Sequence, residues 1–364
     1  MKYFYKEFFC KYTKELHNNK HGYYDVFRTS LSSRIFIIYS FEVAISLMKR
    51  TFKLLTKKYI TQDDYSSIVI NKNNFFIINI DKFSEIYLLL SDDYSKEKYL
   101  DYIVFRAIGA LKNRLPFDEH NLQKQLEISS SLRIDKKLNM YDLSPINYNL
   151  KFIGGELGII LDFILEQYAY KQKSINIEVV KDDVVIDCGG ATGDTALYFY
   201  AKGAKKIYVY EFLPSSIKTI NQQLLNNNIS DEVEIINNAI WSESNLELSY
   251  LDKGNASVVA QKGKYQSSIV TLSIDDMVKT KEIEKIDFIK MDVEGAEVPA
   301  LNGAYECIKK DKPKLAISVY HKKDDLITIT SIIKKINPNY KLYFDYYTNT
   351  GAEAILYAID SDCL

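Results

Sequence analysis

The chain lacks a charge imbalance. Its 364 residues carry 47 Lys+Arg against 48 Asp+Glu, a formal net charge of −1. Neutralising a phosphate backbone needs a clear basic excess, so no nucleic-acid partner is expected. Cysteine is sparse: Cys10, Cys188, Cys307 and Cys363 are scattered, with no CxxC pair. That argues against a disulfide framework and a zinc site and fits a reducing, cytoplasmic compartment. Long apolar runs are missing too. The start, MKYFYKEFFCKYTKELHNNKHG, has no continuous apolar core of a signal peptide. The longest apolar stretch, Ile35 to Met48, is interrupted by Glu42 and is too short to span a bilayer. Glycine is nearly absent from the front: only Gly22 and Gly109, of 14, fall in the first 150 residues.

What is present divides in two. Residues 1–150 hold 23 basic and 17 acidic groups, the remainder 24 and 31, so the halves differ in sign. In the front half, Arg34–Ile38 reads as a buried strand and Phe41 to Leu55 as a helix. Strand-then-helix is a Rossmann-like opening, but Ser40 and Phe41 stand where glycines would let a pyrophosphate approach. This degenerate α/β lobe, residues 1–149, is therefore assigned to packing or self-association, which leaves a homo-oligomer open. Residues 91–109 read as a helix capped by Ser91 or Asp92. Leu150 to Tyr170 reads as a glycine-containing turn and an apolar helix, with a boundary stretch over Lys171–Asp182.

From residue 183 strands and helices alternate, which predicts an α/β fold with a parallel sheet covered on both faces. The strands are Val184–Asp187, Lys206–Glu211, Val233–Asn237, Asp287–Asp292 and Leu315–Tyr320, with helices over 192–202, 215–228, 296–310 and 324–335. Tyr340–Tyr346 and Glu353–Ile359 close the chain as a hairpin. Five parallel strands and a terminal hairpin make a Rossmann-like seven-stranded sheet.

The sharpest motif is VVIDCGGATGD, residues 184–194: an apolar strand, a glycine-rich turn and a helix start. Gly189 and Gly193 allow positive φ and close backbone approach, and the amides at the helix start favour a negative group. Asp187 at the strand tip is placed to organise a ligand ammonium, and Ala191 and Asp194 complete the loop. The second strand ends at Glu211, where an acid accepts hydrogen bonds from ribose hydroxyls. With no third glycine at the dehydrogenase position, the pattern favours S-adenosylmethionine over a nicotinamide. After the third strand, Asn238 is placed for an adenine edge, with Ala239 against its face; a capping role for Asn238 is the alternative.

The segment IDFIKMDVEGAE, residues 286–297, delivers Asp292 and Glu294 into a turn before a helix whose first turn holds Glu297. His321 ends the strand SVYH. With VVIDCGGATGDTAL, IDFIKMDVEGAEVPALNGA, PKLAISVYHKKDDL and the closing EAILYA, the chain resembles the FkbM-type family of S-adenosylmethionine-dependent methyltransferases over roughly residues 150–359. The resemblance implies a class I methyltransferase domain over 150–364 and O-methylation, typically of a sugar, glycan or polyketide hydroxyl. It implies donor binding at Asp187, Gly189, Gly193 and Glu211, and a reaction end at Asp292, Glu294 and His321. Methyl transfer to an alcohol requires removal of one proton, for which His321 or Asp292 is the candidate base. The bland alternatives are a strand-capping His321 and turn acids that only accept amides. No His/Asp/Glu cluster has recognisable ligand spacing, so no metal ligand is named and a divalent ion stays undecided. Rival readings are an amine, phosphoramidate or natural-product acceptor, or a non-catalytic scaffold. Residues 243–269 are polar and turn-rich, an excursion expected to shape the acceptor site.

Overall fold

The structure, a computed structural model, describes residues 2–18, 74–109, 115–116, 119–251, 258–260 and 267–363. The strand and helix expected over 34–55 lie outside the described residues. The chain divides into two compact units, one drawn from residues 1–88, 96–117 and 348–352, the other from 89–95, 118–347 and 353–364. The first is helical. Phe4, Phe8 and Tyr12 repeat at helical spacing along Lys2–Asn18 and stack in pairs, and Phe83, Tyr99 and Tyr102 are buried. The helix Asp93–Ile108 begins where Asp92 Oδ1 accepts the Ser95 amide, which settles the cap on Asp92.

The second unit carries a seven-stranded sheet. Its strands are β1 (Val184–Cys188), β2 (Lys206–Tyr210), β3 (Val233–Ile236), β4 (Phe288–Met291), β5 (Lys314–Ser318), β6 (Tyr340–Tyr346) and β7 (Ala354–Asp360). Their spatial order is β6-β7-β5-β4-β1-β2-β3. β5, β4, β1, β2 and β3 pair in parallel, and β7 runs antiparallel to both of its neighbours. Strands buried on both faces read as continuous apolar runs, and VVIDC, FIKM and KLAIS are of that kind. The helices are α1 (Asp194–Ala201), α2 (Pro214–Asn227), α3 (Glu297–Asn302), α4 (Tyr305–Asp311) and α5 (Asp325–Ile336). The order reverses between β1 and β4, and an open α/β sheet binds ligands beyond the strand ends at that point.

The structure departs from the sequence reading in three places. The helix expected over 296–310 is broken into α3 and α4 at Gly303. A Cβ there would meet the Trp241 carbonyl oxygen at 2.1 Å, so a close backbone approach forces the break. The apolar helix expected within Leu150 to Tyr170 shortens to Glu156–Gly158 and a π-helical turn over Ile159–Ile164, after a strand at Lys151–Ile153. The excursion expected as turns contains Glu247–Leu251 paired with Ser267–Leu272 and Val258–Ala260, and Ser267–Leu272 runs parallel to Ala239–Ile240. Trp241 is half-buried. Among the described residues no helix is long and apolar enough to cross a membrane.

At the far side of the second unit, Glu166 and Glu178 share Lys171 and Lys202, with Lys202 2.9 Å from Glu178 and 3.4 Å from Glu166. Burial raises the Glu178 carboxyl, but Lys202, Asn176 and Lys171 outweigh it and hold it at about 2 against an ordinary 4.5. A depressed carboxylate stabilises the fold above its unfolded value and loses that contribution as pH falls through the folded one. Glu178→Gln is expected to cost about 1 kcal/mol at pH 7 after solvent screening. The difference from wild type should close between pH 4.5 and 2 in urea denaturation. A gap that persists at pH 2 would remove the electrostatic account.

Candidate active site

β1 delivers Asp187 and Cys188 into the turn Gly189-Gly190-Ala191-Thr192-Gly193, which leads into α1. Asp187 is fully buried and ion-pairs with Lys290 on β4, Nζ to Oδ1 at 3.0 Å; its other oxygen accepts the Thr195 hydroxyl. The two residues face each other because β1 and β4 pair with Asp187 beside Lys290. Lys290 Nζ also donates to the Gly189 carbonyl at 2.7 Å and the Cys188 carbonyl at 3.3 Å. Burial opposes its charge, yet Asp187 and Asp292 hold the ammonium above its ordinary value. Asp187 thus lies beneath the loop rather than in the wall of the cleft.

The loop conformation is fixed by close approaches. Gly189 has φ +90°, and a Cβ there would sit 2.0 Å from the Asp292 carbonyl oxygen. Its amide and that of Gly190 donate to the Tyr210 carbonyl at the end of β2. Ala191, though not glycine, has φ +42°, and its amide donates to Glu211 Oε2 at 3.0 Å. Glu211 Oε1 accepts the Phe212 and Leu213 amides at 2.7 and 2.9 Å. Burial raises the Glu211 carboxyl above the ordinary range despite these three donors.

A cleft of about 600 Å³, counting solvent at its mouth, opens over these strand ends. Gly189, Ala191 and Glu211 form one wall, Asn238 to Ile240 another, and Asp292 to Glu294 with Ala296 the third. The structure therefore brings seven of the sequence-predicted residues to one cleft: Gly189, Ala191, Glu211, Asn238, Ala239, Asp292 and Glu294. The Asn238 side chain also donates to the Val270 carbonyl at 3.1 Å. Gly193, at φ +83°, starts α1 against Ile220, and Asp194 faces Gly158 from its other side. Asp162 on the π-helical turn is buried, and burial first and the Asp194 charge second push its carboxyl well above the ordinary range.

The acidic wall is a cluster. Asp292 Oδ2 accepts the Tyr168 hydroxyl at 3.0 Å, and Oδ1 accepts the Tyr320 hydroxyl at 3.1 Å. Glu294 has φ +52° and Gly295 +93°, a tight turn that Glu297 secures by accepting the Val293 amide at 2.9 Å and the Gly295 amide at 3.4 Å. His321 Nε2 lies 3.5 Å from both Asp292 Oδ1 and Glu294 Oε2, and Nδ1 lies 2.9 Å from Glu297 Oε1. Burial lowers the proton affinity of His321, but Glu297, Asp292 and Glu294 raise it more, to about 9.

Four of these residues were not picked out as site residues from the sequence: Lys290, Tyr168, Tyr320 and Glu297. Lys290 carried a signal, a lone charge in an otherwise apolar strand. The tyrosines carried none, being two among 29.

Residues 187–339 match the family model described as the methyltransferase FkbM domain. Among curated proteins none matches the chain. A crystal structure of methyltransferase FkbM from Methylobacillus flagellatus KT is similar with a TM-score of 0.52 at 19% identity, covering 80% of this chain and 61% of that one. This likeness shows the shared fold, and the chain spans about three fifths of that protein's length. More distant are precorrin-6y C5,15-methyltransferase from Geobacter metallireducens GS-15 (TM-score 0.34, 10% identity, 51% and 84% covered) and Aeropyrum pernix fibrillarin with natively bound S-adenosyl-L-methionine (0.33, 12%, 51% and 70%).

The packing of Gly189 against Asp292 yields a direct test. Gly189→Ala adds a methyl group where a backbone oxygen already sits, at a positive φ that side chains resist. It is expected to cost more than about 2 kcal/mol in chemical denaturation. An unchanged midpoint would refute this packing.

Proposed function

We propose, on the premise that residues 187–339 belong to the methyltransferase FkbM domain family, that this chain is a cytoplasmic S-adenosylmethionine-dependent O-methyltransferase acting on a hydroxyl of a sugar or glycan precursor. The observation that carries the donor is Glu211. Its carboxylate is buried at the end of β2, in the cleft wall, with the amide-bound loop beside it. Glu211 accepts the ribose hydroxyls, the Asn238 to Ile240 wall takes the adenine, and the Gly189–Gly193 turn with the start of α1 takes the amino-acid end. Asp187 acts from below by holding Lys290, which in turn holds the Gly189 carbonyl. The sugar acceptor rests on the family resemblance, and the cytoplasmic placement on four free cysteines, two of them buried.

The donor's methyl group arrives activated, so the protein's task is positioning plus removal of one proton. As the acceptor oxygen bonds the methyl carbon, the carbon–sulfur bond breaks and the sulfonium becomes a neutral thioether. The hydroxyl proton leaves to the Asp292 or Glu294 carboxylate in the cleft wall; His321, whose proton affinity these acids raise to about 9, pairs with the carboxylates and takes the proton itself only at alkaline pH.

Calorimetric titration tests the donor. S-adenosylmethionine and S-adenosylhomocysteine are expected to bind one per chain, NAD not at all, and Glu211→Ala to weaken the first two at least tenfold. Binding of NAD alone would overturn the reading. For the reaction end, His321→Ala and Asp292→Asn should each lower turnover of a methylated sugar acceptor by two orders of magnitude while donor affinity changes little. Unchanged turnover in both would sink the assignment of the cluster to the reaction.

A further inference from the structure

Both oxygens of the Asp292 carboxylate accept hydrogen bonds from phenols. Tyr168 donates to Oδ2 at 3.0 Å, and Tyr320 reaches Oδ1 at 3.1 Å and Oδ2 at 3.3 Å. Tyr320 follows β5, the strand beside β4, so the sheet itself brings it to Asp292. Tyr168 arrives from elsewhere. It lies in the turn after the π-helical residues, 124 positions from Asp292, and is 2% exposed. Packing alone would be served by a phenylalanine. The hydroxyl is what requires an explanation, since its one proton goes to an acid in the cleft wall.

Tyr168 is itself held from two sides. The Lys290 ammonium, paired with Asp187, stands 5.2 Å from the centroid of its ring, a cation over an aromatic face. The backbone of its turn is fixed from the end of the chain. Tyr357 on β7 donates to the Gln167 carbonyl; its one proton is used there, so Tyr347 is the donor in the 2.7 Å contact between the two hydroxyls. The Gln167 amide donates to the Leu161 carbonyl at 2.9 Å and the Ala169 amide to the Glu166 carbonyl at 2.8 Å. Burial first, and the Asp292 charge second, push the Tyr168 hydroxyl well above its ordinary range, and Tyr320 is raised for the same reasons. Both phenols therefore keep their protons near neutrality and act on Asp292 as donors.

We infer that Tyr168 is a positioning residue for the reaction: packed against Lys290 and supported by Tyr357 through the Gln167 carbonyl, it fixes Asp292 as the carboxylate that receives the acceptor's proton. Asp292 is the shorter of the two cleft acids, with phenol donors setting the plane of its carboxylate, whereas Glu294 reaches the wall on a longer, exposed side chain. A carboxylate offers about four acceptor sites, so two phenols leave room for a substrate hydroxyl. The proton moves from that hydroxyl to Asp292, and Tyr168 keeps its own throughout. The clamp stands on geometry; its use in the reaction rests on the methyltransferase reading.

The test uses the full-length protein. Tyr168→Phe removes the hydroxyl and keeps the ring against Lys290, so circular dichroism should not change. Carbon-13 NMR of protein labelled at the aspartate carboxyls reads the clamp without substrate, the Asp292 resonance being identified by its absence from Asp292→Ala. In Tyr168→Phe it is expected to titrate about one pH unit higher than in wild type, because a hydrogen bond to the ionised form is lost. Tyr357→Phe, which releases the Gln167 carbonyl, should move it the same way by less. With methyl glycosides as acceptors, Tyr168→Phe should lower kcat about tenfold while acceptor KM and S-adenosylmethionine Kd stay within about twofold. In an Asp292→Ala background the same change should cost nothing further, since Tyr168 acts through that carboxylate. A resonance that does not move, or a kcat loss that persists without Asp292, would overturn the inference. Absence of S-adenosylmethionine binding to wild type defeats the methyltransferase reading and the reaction role with it. Donor binding and turnover that Tyr168→Phe leaves unchanged defeat this inference alone.

Discussion

The buried Lys290–Asp187 pair is the constraint on which the cleft depends. Two charges removed from water are costly unless each finds further partners. Here Lys290 has the carbonyls of Cys188 and Gly189, and Asp187 has the Thr195 hydroxyl. The pair therefore joins the central strand β4 to the end of β1, to the glycine turn and to the first residues of α1. From the other side, the Gly189 and Gly190 amides hold the same turn to the end of β2. A turn fixed from two strands leaves little conformational freedom to lose when a ligand settles on it.

That arrangement also sets the charge at the opposite wall. β4 carries Lys290 and then, two residues on, Asp292, so one strand delivers a cation inward and an anion to the cleft. Because Asp187 engages Lys290 directly, the lysine offsets Asp292 only at longer range, and His321 comes within 3.5 Å of both Asp292 and Glu294. Lys290 and Asp292, two residues apart, share one side of the chain, so what separates their roles is position along it: Lys290 lies within β4 beneath the glycine turn, and Asp292 lies just past the strand's end in the cleft wall.

Much of the sheet was legible in the sequence. The limits of β1, β2 and β5 lie within two residues of the apolar runs that predict them, because parallel strands inside the sheet leave a nearly unbroken apolar signal. The glycine turn, Glu211 and Asp292 were legible through position at a strand's carboxyl end. What was not legible depends on pairs distant in sequence. Gly303 looks tolerable inside a helix until the Trp241 carbonyl is placed against it. Tyr168 lies 124 positions from Asp292, and Glu297 and His321 are joined only when β5 is laid beside β4. A cluster assembled from a strand tip, a helix start and the next strand tip leaves no fixed spacing in the sequence to find. The hydrogen-bonded strands in residues 243–269 were hidden because polar, short segments resemble loops.

The two left-handed residues that are not glycine in the cleft walls, Ala191 and Glu294, show where the fold places strain. Each such conformation costs on the order of 1–3 kcal/mol and persists only where neighbours over-determine it. Ala191 is held by Glu211, the residue assigned to the donor's ribose, and Glu294 is flanked by amides that Glu297 accepts. In both cases the acid that stabilises the strained turn is also the acid exposed to, or packed beneath, the ligand wall. The strain and the site therefore share their supports. Relaxing the Ala191 turn with glycine would leave the local contacts intact while widening the distribution of Glu211 carboxylate positions, so a loss of affinity larger than the loss of stability is the signature of a preorganised cleft.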